Sequence, residues 1–263
     1  MSIIIFIIII LILVLSHELG HFVVAKRFGL RVDEFGFGFP PRIFSFKKGE
    51  TKYSFNLLPL GGFVKIFGED YSDESENGLD KDRALNNKSK RIQAVVLIAG
   101  VFFNLLLAWL LISISFMIGL PIEVGIKKLS FFPAFFEGIK MTGSLLKDII
   151  IALIGLIGDA FSGQASLTSL TGPIGIVNLV GEFYSFGLAS LMFFTAFISI
   201  NLAIINLIPL PALDGGRLFF LFIEWVKGSA INSKITGTLN LIGFALLILL
   251  MVAVTYNDIV NLI

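Results

Sequence analysis

Four stretches of this chain, residues 3–25, 94–120, 188–213 and 239–256, stay apolar for about as long as a helix needs to cross a bilayer, roughly 20 residues. Backbone inside lipid must satisfy its own hydrogen bonds, so each stretch reads as a membrane-spanning helix. A fifth apolar run, 149–157, is closed off by Asp148 and Asp159 and is too short to span. It belongs instead to an interfacial helical segment over 131–165, whose "SFFPAFFEG" aromatics suit a headgroup layer. Composition agrees: 15% of residues are charged, where soluble domains average about 25%. Residues 1–15 lack both a basic leader and a small-residue cleavage site, so they read as a retained span rather than a removable signal.

Basic residues orient the spans. Thirteen Lys and Arg lie between the first and second spans, and Arg217, Lys227 and Lys234 lie between the third and fourth. The segment between the second and third holds only Lys127, Lys128, Lys140 and Lys147. The positive-inside rule then places both termini outside and residues 26–91 in the cytoplasm. The first and third spans run in the same direction. A net charge of +1 gives no reason to expect nucleic acid, and the absence of cysteine excludes disulfides and thiolate ligands.

Between the first two spans, residues 31–68 are rich in aromatics and glycine, with a "KKGE" turn between two partly alternating runs. This pattern predicts a membrane-associated β-hairpin with an apolar face. Residues 69–91 are polar and read as a solvated loop. The expected fold class is therefore an α-helical polytopic membrane protein, one domain of four spans with a β-sheet after the first.

The first span carries "SHELGH", which contains the only two histidines of the chain, His17 and His21. Residues four apart share a helix face, so both imidazoles can reach one metal ion, with Glu18 beside them to act on water. Catalytic zinc takes three protein ligands and keeps one open position. Without further His or Cys, the third ligand must be a carboxylate. Asp214, in "NLIPLPALDGGRLFF" at the end of the third span, is the candidate, because an aspartate there needs a cation to offset its cost. Parallel first and third spans bring His17 and Asp214 to a similar depth. Pro209, Pro211, Gly215 and Gly216 interrupt helix around it. Asn206, earlier in that span, either holds extended substrate backbone or the oxyanion, or makes a helix–helix hydrogen bond; for Asn104 and Asn201 the interhelical bond is the better reading.

"SHELGHFVVAKRFGL", "YSFNLLPLGGFVKIFGED", "TGPIGI" and "NLIPLPALDGGRLFF" together resemble the site-2 proteases, most closely the bacterial regulator-of-sigma-E protease type. The resemblance implies an intramembrane zinc metalloendopeptidase with one Zn2+ per chain, held by His17, His21 and Asp214, and with Glu18 as general base. It implies a multi-pass protein of the bacterial inner membrane, with its site toward the cytoplasmic side. Single-span membrane proteins, such as anti-sigma factors or signal-peptide remnants, are the implied substrates. The hairpin around residues 61–65 is implied to be re-entrant, which makes Gly61, Gly62, Asn206 and Pro211 candidates for contacting substrate. Two departures stand out. No PDZ domain fits between the second and third spans, and "AGVFFN" has Val101 where similar proteins often carry proline. The competing expectation is a membrane metal-binding protein without proteolysis, either a divalent-metal transporter or an inactive regulator. A transporter would favour inverted repeats, and an inactive relative would lack the Glu.

Overall fold

The computed structural model describes residues 1–69, 81–120, 128–163 and 171–262. Helix α1 (Ser2–Arg27) leads into strands β1 (Val32–Lys48) and β2 (Thr51–Ile66), followed by helices α2 (Lys90–Ile118), α3 (Phe131–Phe161), α4 (Pro173–Ser185), α5 (Leu188–Leu207), α6 (Asp214–Lys227) and α7 (Ser233–Leu262). Four of them, Ser2–Arg27, Lys90–Ile118, Leu188–Leu207 and Ser233–Val260, are long and apolar enough to cross a membrane. The positions match the four expected spans, but the third ends earlier than 213. Pro209 lacks an N–H and disfavours helical backbone at Ile208, so α5 stops at Leu207. Asp214 therefore opens a new helix instead of closing the third span.

Contacts divide the chain into two compact units. The first comprises Met1–Phe6, Leu105–Ile205 and Ala245–Ile263; the second comprises Ile7–Asn104 and Asn206–Phe244. In the first, the buried core joins Ala108, Ile112 and Phe116 of α2 to Ala134 of α3 and Ala196 and Ile200 of α5. Helix α3 buries Ala134 and Gly138 and turns Phe132, Phe136, Ile154 and Ile157 outward, at helical spacing. The segment expected over 131–165 is one long helix to Phe161, with 164–165 outside the described residues. The Asp258 carboxylate of α7 accepts the Gly172 and Gly175 N–H groups (3.0 and 2.9 Å), satisfying donors at the start of α4.

In the second unit, α1 ends on Gly29 (φ 69°), and the Leu30 N–H returns to the Ala25 carbonyl at 3.0 Å. This turn places Leu30 and Val32 in a core with Ala25, Ile66, Leu85 and Val96. The expected hairpin is present, with Gly49 and Glu50 between the strands. Its strands are long and bent, so four segments lie side by side. Residues 34–37 pair antiparallel with 62–65 on one side, and lie beside 52–55 with numbers rising together on the other. Residues 44–48 pair antiparallel with 51–55 beyond them. The order 62–66, 32–37, 51–56, 42–48 leaves two edges, and their surroundings differ. Ile43, Phe44 and Phe46 at the outer edge are exposed, whereas residues 63–66 face the histidines of α1. Of the polar loop expected over 69–91, residues 81–83 and 85–87 form short 3-10 turns, and 70–80 lie outside the described residues.

Candidate metal centre

His17 and His21 project from one face of α1 toward α2, and both are buried. Such bulky rings fit at the interface because the facing residues are small. A Cβ on Gly20 would collide with the Ala99 carbonyl of α2, and one on Gly100 would collide with His21 Nε2 and lie 2.8 Å from His17 Nδ1. Ser16 Oγ donates to the Phe103 carbonyl at 3.2 Å and fastens the same pair of helices.

Asp214 reaches this pair from the first turn of α6. Between α5 and α6 the chain turns tightly, with Ala212 at φ 76° and its N–H bonded to Asn240 Oδ1 of α7 (3.2 Å). Gly215 and Gly216 let that first turn pass under the connection, since a Cβ on either would strike the carbonyl of Ile208 or Leu210. Asp214 Oδ2 stands 2.9 Å from His17 Nε2 and 3.2 Å from His21 Nε2, and the two Nε2 atoms are 3.2 Å apart.

These three atoms fit a metal ion. Ligands bonded at 2.0–2.1 Å around tetrahedral zinc lie about 3.3 Å from one another, close to the observed triangle. The tautomers fit too. A carbonyl only accepts, so the 2.8 Å contact between His21 Nδ1 and the Val96 carbonyl puts the proton on Nδ1 and leaves the Nε2 lone pair free. The Asn104 amide lies 3.5 Å from His17 Nδ1. With its oxygen turned to that nitrogen it accepts the Nδ1 proton and fixes the same tautomer. Two imidazole lone pairs and a carboxylate then converge on one point, which only a cation stabilises.

Glu18 lies next to the triangle, close enough to interact electrostatically with His17, His21 and Asp214, and its carboxylate accepts the Val64 N–H of β2. The four side chains border a cavity of about 430 Å³ whose opposite wall is the 63–66 edge of the sheet. Arg217, one turn beyond Asp214, also lines it and is paired with Glu69.

The structure thus brings together four of the residues singled out from sequence: His17, Glu18, His21 and Asp214. Gly62 is beside them, since a Cβ there would lie 3.2 Å from Glu18 Cγ. Asn206, Pro211 and Gly61 are not among the described residues that line the cavity. Asn201 bonds the Phe197 carbonyl of its own helix, not a neighbouring one. Asn104 of α2 sits against His17 of α1, an interhelical contact as expected. Gly100 and Val96 were missed; the signal available was the small pair Ala99–Gly100 facing the glycine of "HELGH".

Comparison with known proteins follows the same lines. The sequence profile of peptidase family M50 matches residues 5–250. A protein of Clostridium perfringens that carries a zinc metalloprotease name is 32% identical, over 94% of this chain and 95% of its own. Two Bacillus proteins, the regulator of sigma-W protease RasP of B. subtilis and the zinc metalloprotease RasP of B. licheniformis, are 28% and 27% identical over 99% of both chains. These last alignments run to 419 and 417 positions against 263 residues here, so both relatives contain residues that this chain lacks.

Proposed function

Since the chain belongs to peptidase family M50, and is on that ground a metalloendopeptidase, we propose that it is an intramembrane zinc protease that cuts within or beside single transmembrane helices. The observation that carries the reading is the meeting of Asp214, at the start of α6, with His17 and His21 on a helix apolar enough to span a bilayer, beside an acidic side chain and a sheet edge. His17 Nε2, His21 Nε2 and Asp214 Oδ2 would hold one Zn2+. When bound, that ion supplies Lewis acidity toward the scissile carbonyl and makes water a nucleophile near neutral pH.

Glu18 is the general base. Its carboxylate takes the proton of the attacking water and returns it to the amide nitrogen as the peptide bond breaks, leaving a carboxylate and an amine. The Val64 N–H aims this carboxylate. Because the Val64 N–H points out of the sheet, two-residue alternation turns the backbone polar groups of Gly62 and Ile66 the same way. A substrate helix that has unwound can pair with this edge, and its scissile bond is then presented to Glu18 and the metal. Unwinding is easiest where the substrate carries glycine, proline or other weak helix formers. Basic residues at the end of α1 and the start of α2 favour a cytoplasmic site in the bacterial inner membrane, with both termini outside. The RasP relative named as a regulator of sigma-W suggests membrane-bound regulators among the substrates.

The test is cleavage of a single-span reporter with a glycine-rich midsection in proteoliposomes. Mass spectrometry of the products should place the cut inside or next to the apolar span. Cuts confined to soluble, extended segments would contradict the reading.

A further inference from the structure

Apart from the metal cavity, a groove of about 620 Å³ opens between the start of α2, the turn after α5 and one face of α6. Its wall on α6 is apolar, formed by Leu218, Phe219, Phe222 and Trp225, and the last three are exposed. Lys90 and Arg91 stand beside it at the first turn of α2. Their situations differ. Lys90 is paired with the buried Glu224 carboxylate, which also accepts the Ile231 N–H at 3.0 Å. Arg91 is exposed and has no ion-pair or hydrogen-bond partner among the described residues.

An apolar channel beside an exposed guanidinium is the complement of a phospholipid. Acyl chain covers the α6 face, and the planar fork of Arg91 meets the phosphate oxygens with two parallel N–H donors. Trp225, which lines the groove and is exposed, supplies an amphipathic ring of the kind that suits the boundary between acyl chain and headgroup. The charge of Arg91 at the groove favours a net-anionic headgroup over a zwitterionic one. We propose that this groove is a binding site for one anionic phospholipid, anchored on Arg91 and packed on the apolar face of α6. An uncharged transmembrane helix of another protein would cover the same apolar wall but offer Arg91 no counter-charge, so the lipid fits better. The assignment does not depend on the proteolytic reading.

Nondenaturing mass spectrometry of the full chain tests it, after equilibration with equal amounts of phosphatidylglycerol and phosphatidylcholine in mixed micelles. The expected result is one phosphatidylglycerol retained per chain, with about a fivefold preference over phosphatidylcholine. Arg91→Glu should bring that preference to about one, and Arg91→Lys should keep most of it. Leu218→Trp should remove retention of both lipids, with helicity by circular dichroism unchanged to show that the variant is folded. Equal retention of the two lipids by the native chain would overturn the proposal. So would an Arg91→Glu protein that keeps the native preference, or displacement of the lipid by a neutral single-span peptide that is indifferent to Arg91.

Discussion

His17 and His21 are four residues apart on one helix, and that spacing alone made two of the three candidate metal ligands readable. Asp214 was readable by elimination, because few acidic residues stand in apolar surroundings and no other His or Cys competes. What could not be read was the space that the imidazoles occupy. Gly100 contributes no side chain, and its importance lies in what a methyl group there would displace. Gly100→Ala should therefore cost most of the bound zinc while leaving the helices intact, which elemental analysis alongside circular dichroism would check. Asn104 was legible as an interhelical partner, and it lies on α2 against His17 of α1; a buried amide on a span has many such partners, and sequence does not say that this partner is a candidate ligand. Asn104→Ala should lower metal affinity about 10- to 100-fold, the usual range for a partner that orients a ligating histidine. A competition titration with a chromophoric chelator measures this, and unchanged affinity would remove Asn104 from the site.

Among the elements, the hairpin was legible from its turn and its aromatic alternation, and its bending into four side-by-side segments was not. That arrangement depends on register shifts along β1 and β2 and on the core that holds Val32 and Ile66 against α1. The turn is tied down by charge: Glu50 accepts Lys26 Nζ at 2.5 Å and Arg83 Nη2 at 2.7 Å. Lys26 first, then Arg83, hold the Glu50 carboxyl below its ordinary value. Its contribution is thus complete above about pH 4.5, where the unfolded carboxyl is also ionised, and is lost as pH falls through the depressed folded value. All three side chains are partly exposed, so screening limits the gain to about 1 kcal/mol or less. Glu50→Gln should lower stability by about that amount at pH 7 and by progressively less below pH 4, measured by denaturant titration in mild detergent. The connection from α5 to α6 was half legible. Pro209 and Pro211 announced a break, but the tuck of Gly215 and Gly216 under it comes from tertiary contact, so the third span appeared six residues too long.

Across the whole molecule, four long apolar helices fix the fold before any metal is considered, and the family match over residues 5–250 takes in both compact units. Zinc should consequently add to stability without being needed for folding. Removal by a chelator should abolish proteolysis, leave the far-ultraviolet spectrum unchanged, and lower the melting free energy by about 3 kcal/mol relative to zinc at 100 times its Kd. Restored zinc should restore activity, and collapse of the helical spectrum on chelation would show that the metal holds the fold. On the proposed reading, metal binding and proton transfer are separate tasks, given to His17, His21 and Asp214 on one side and to Glu18 on the other. The most direct measurement is zinc content and reporter cleavage, side by side, for the native chain and Glu18→Gln in proteoliposomes. One zinc per chain in both proteins, with cleavage reduced at least 100-fold in the variant, is the predicted result. Native-rate cleavage by Glu18→Gln with zinc still bound would contradict it.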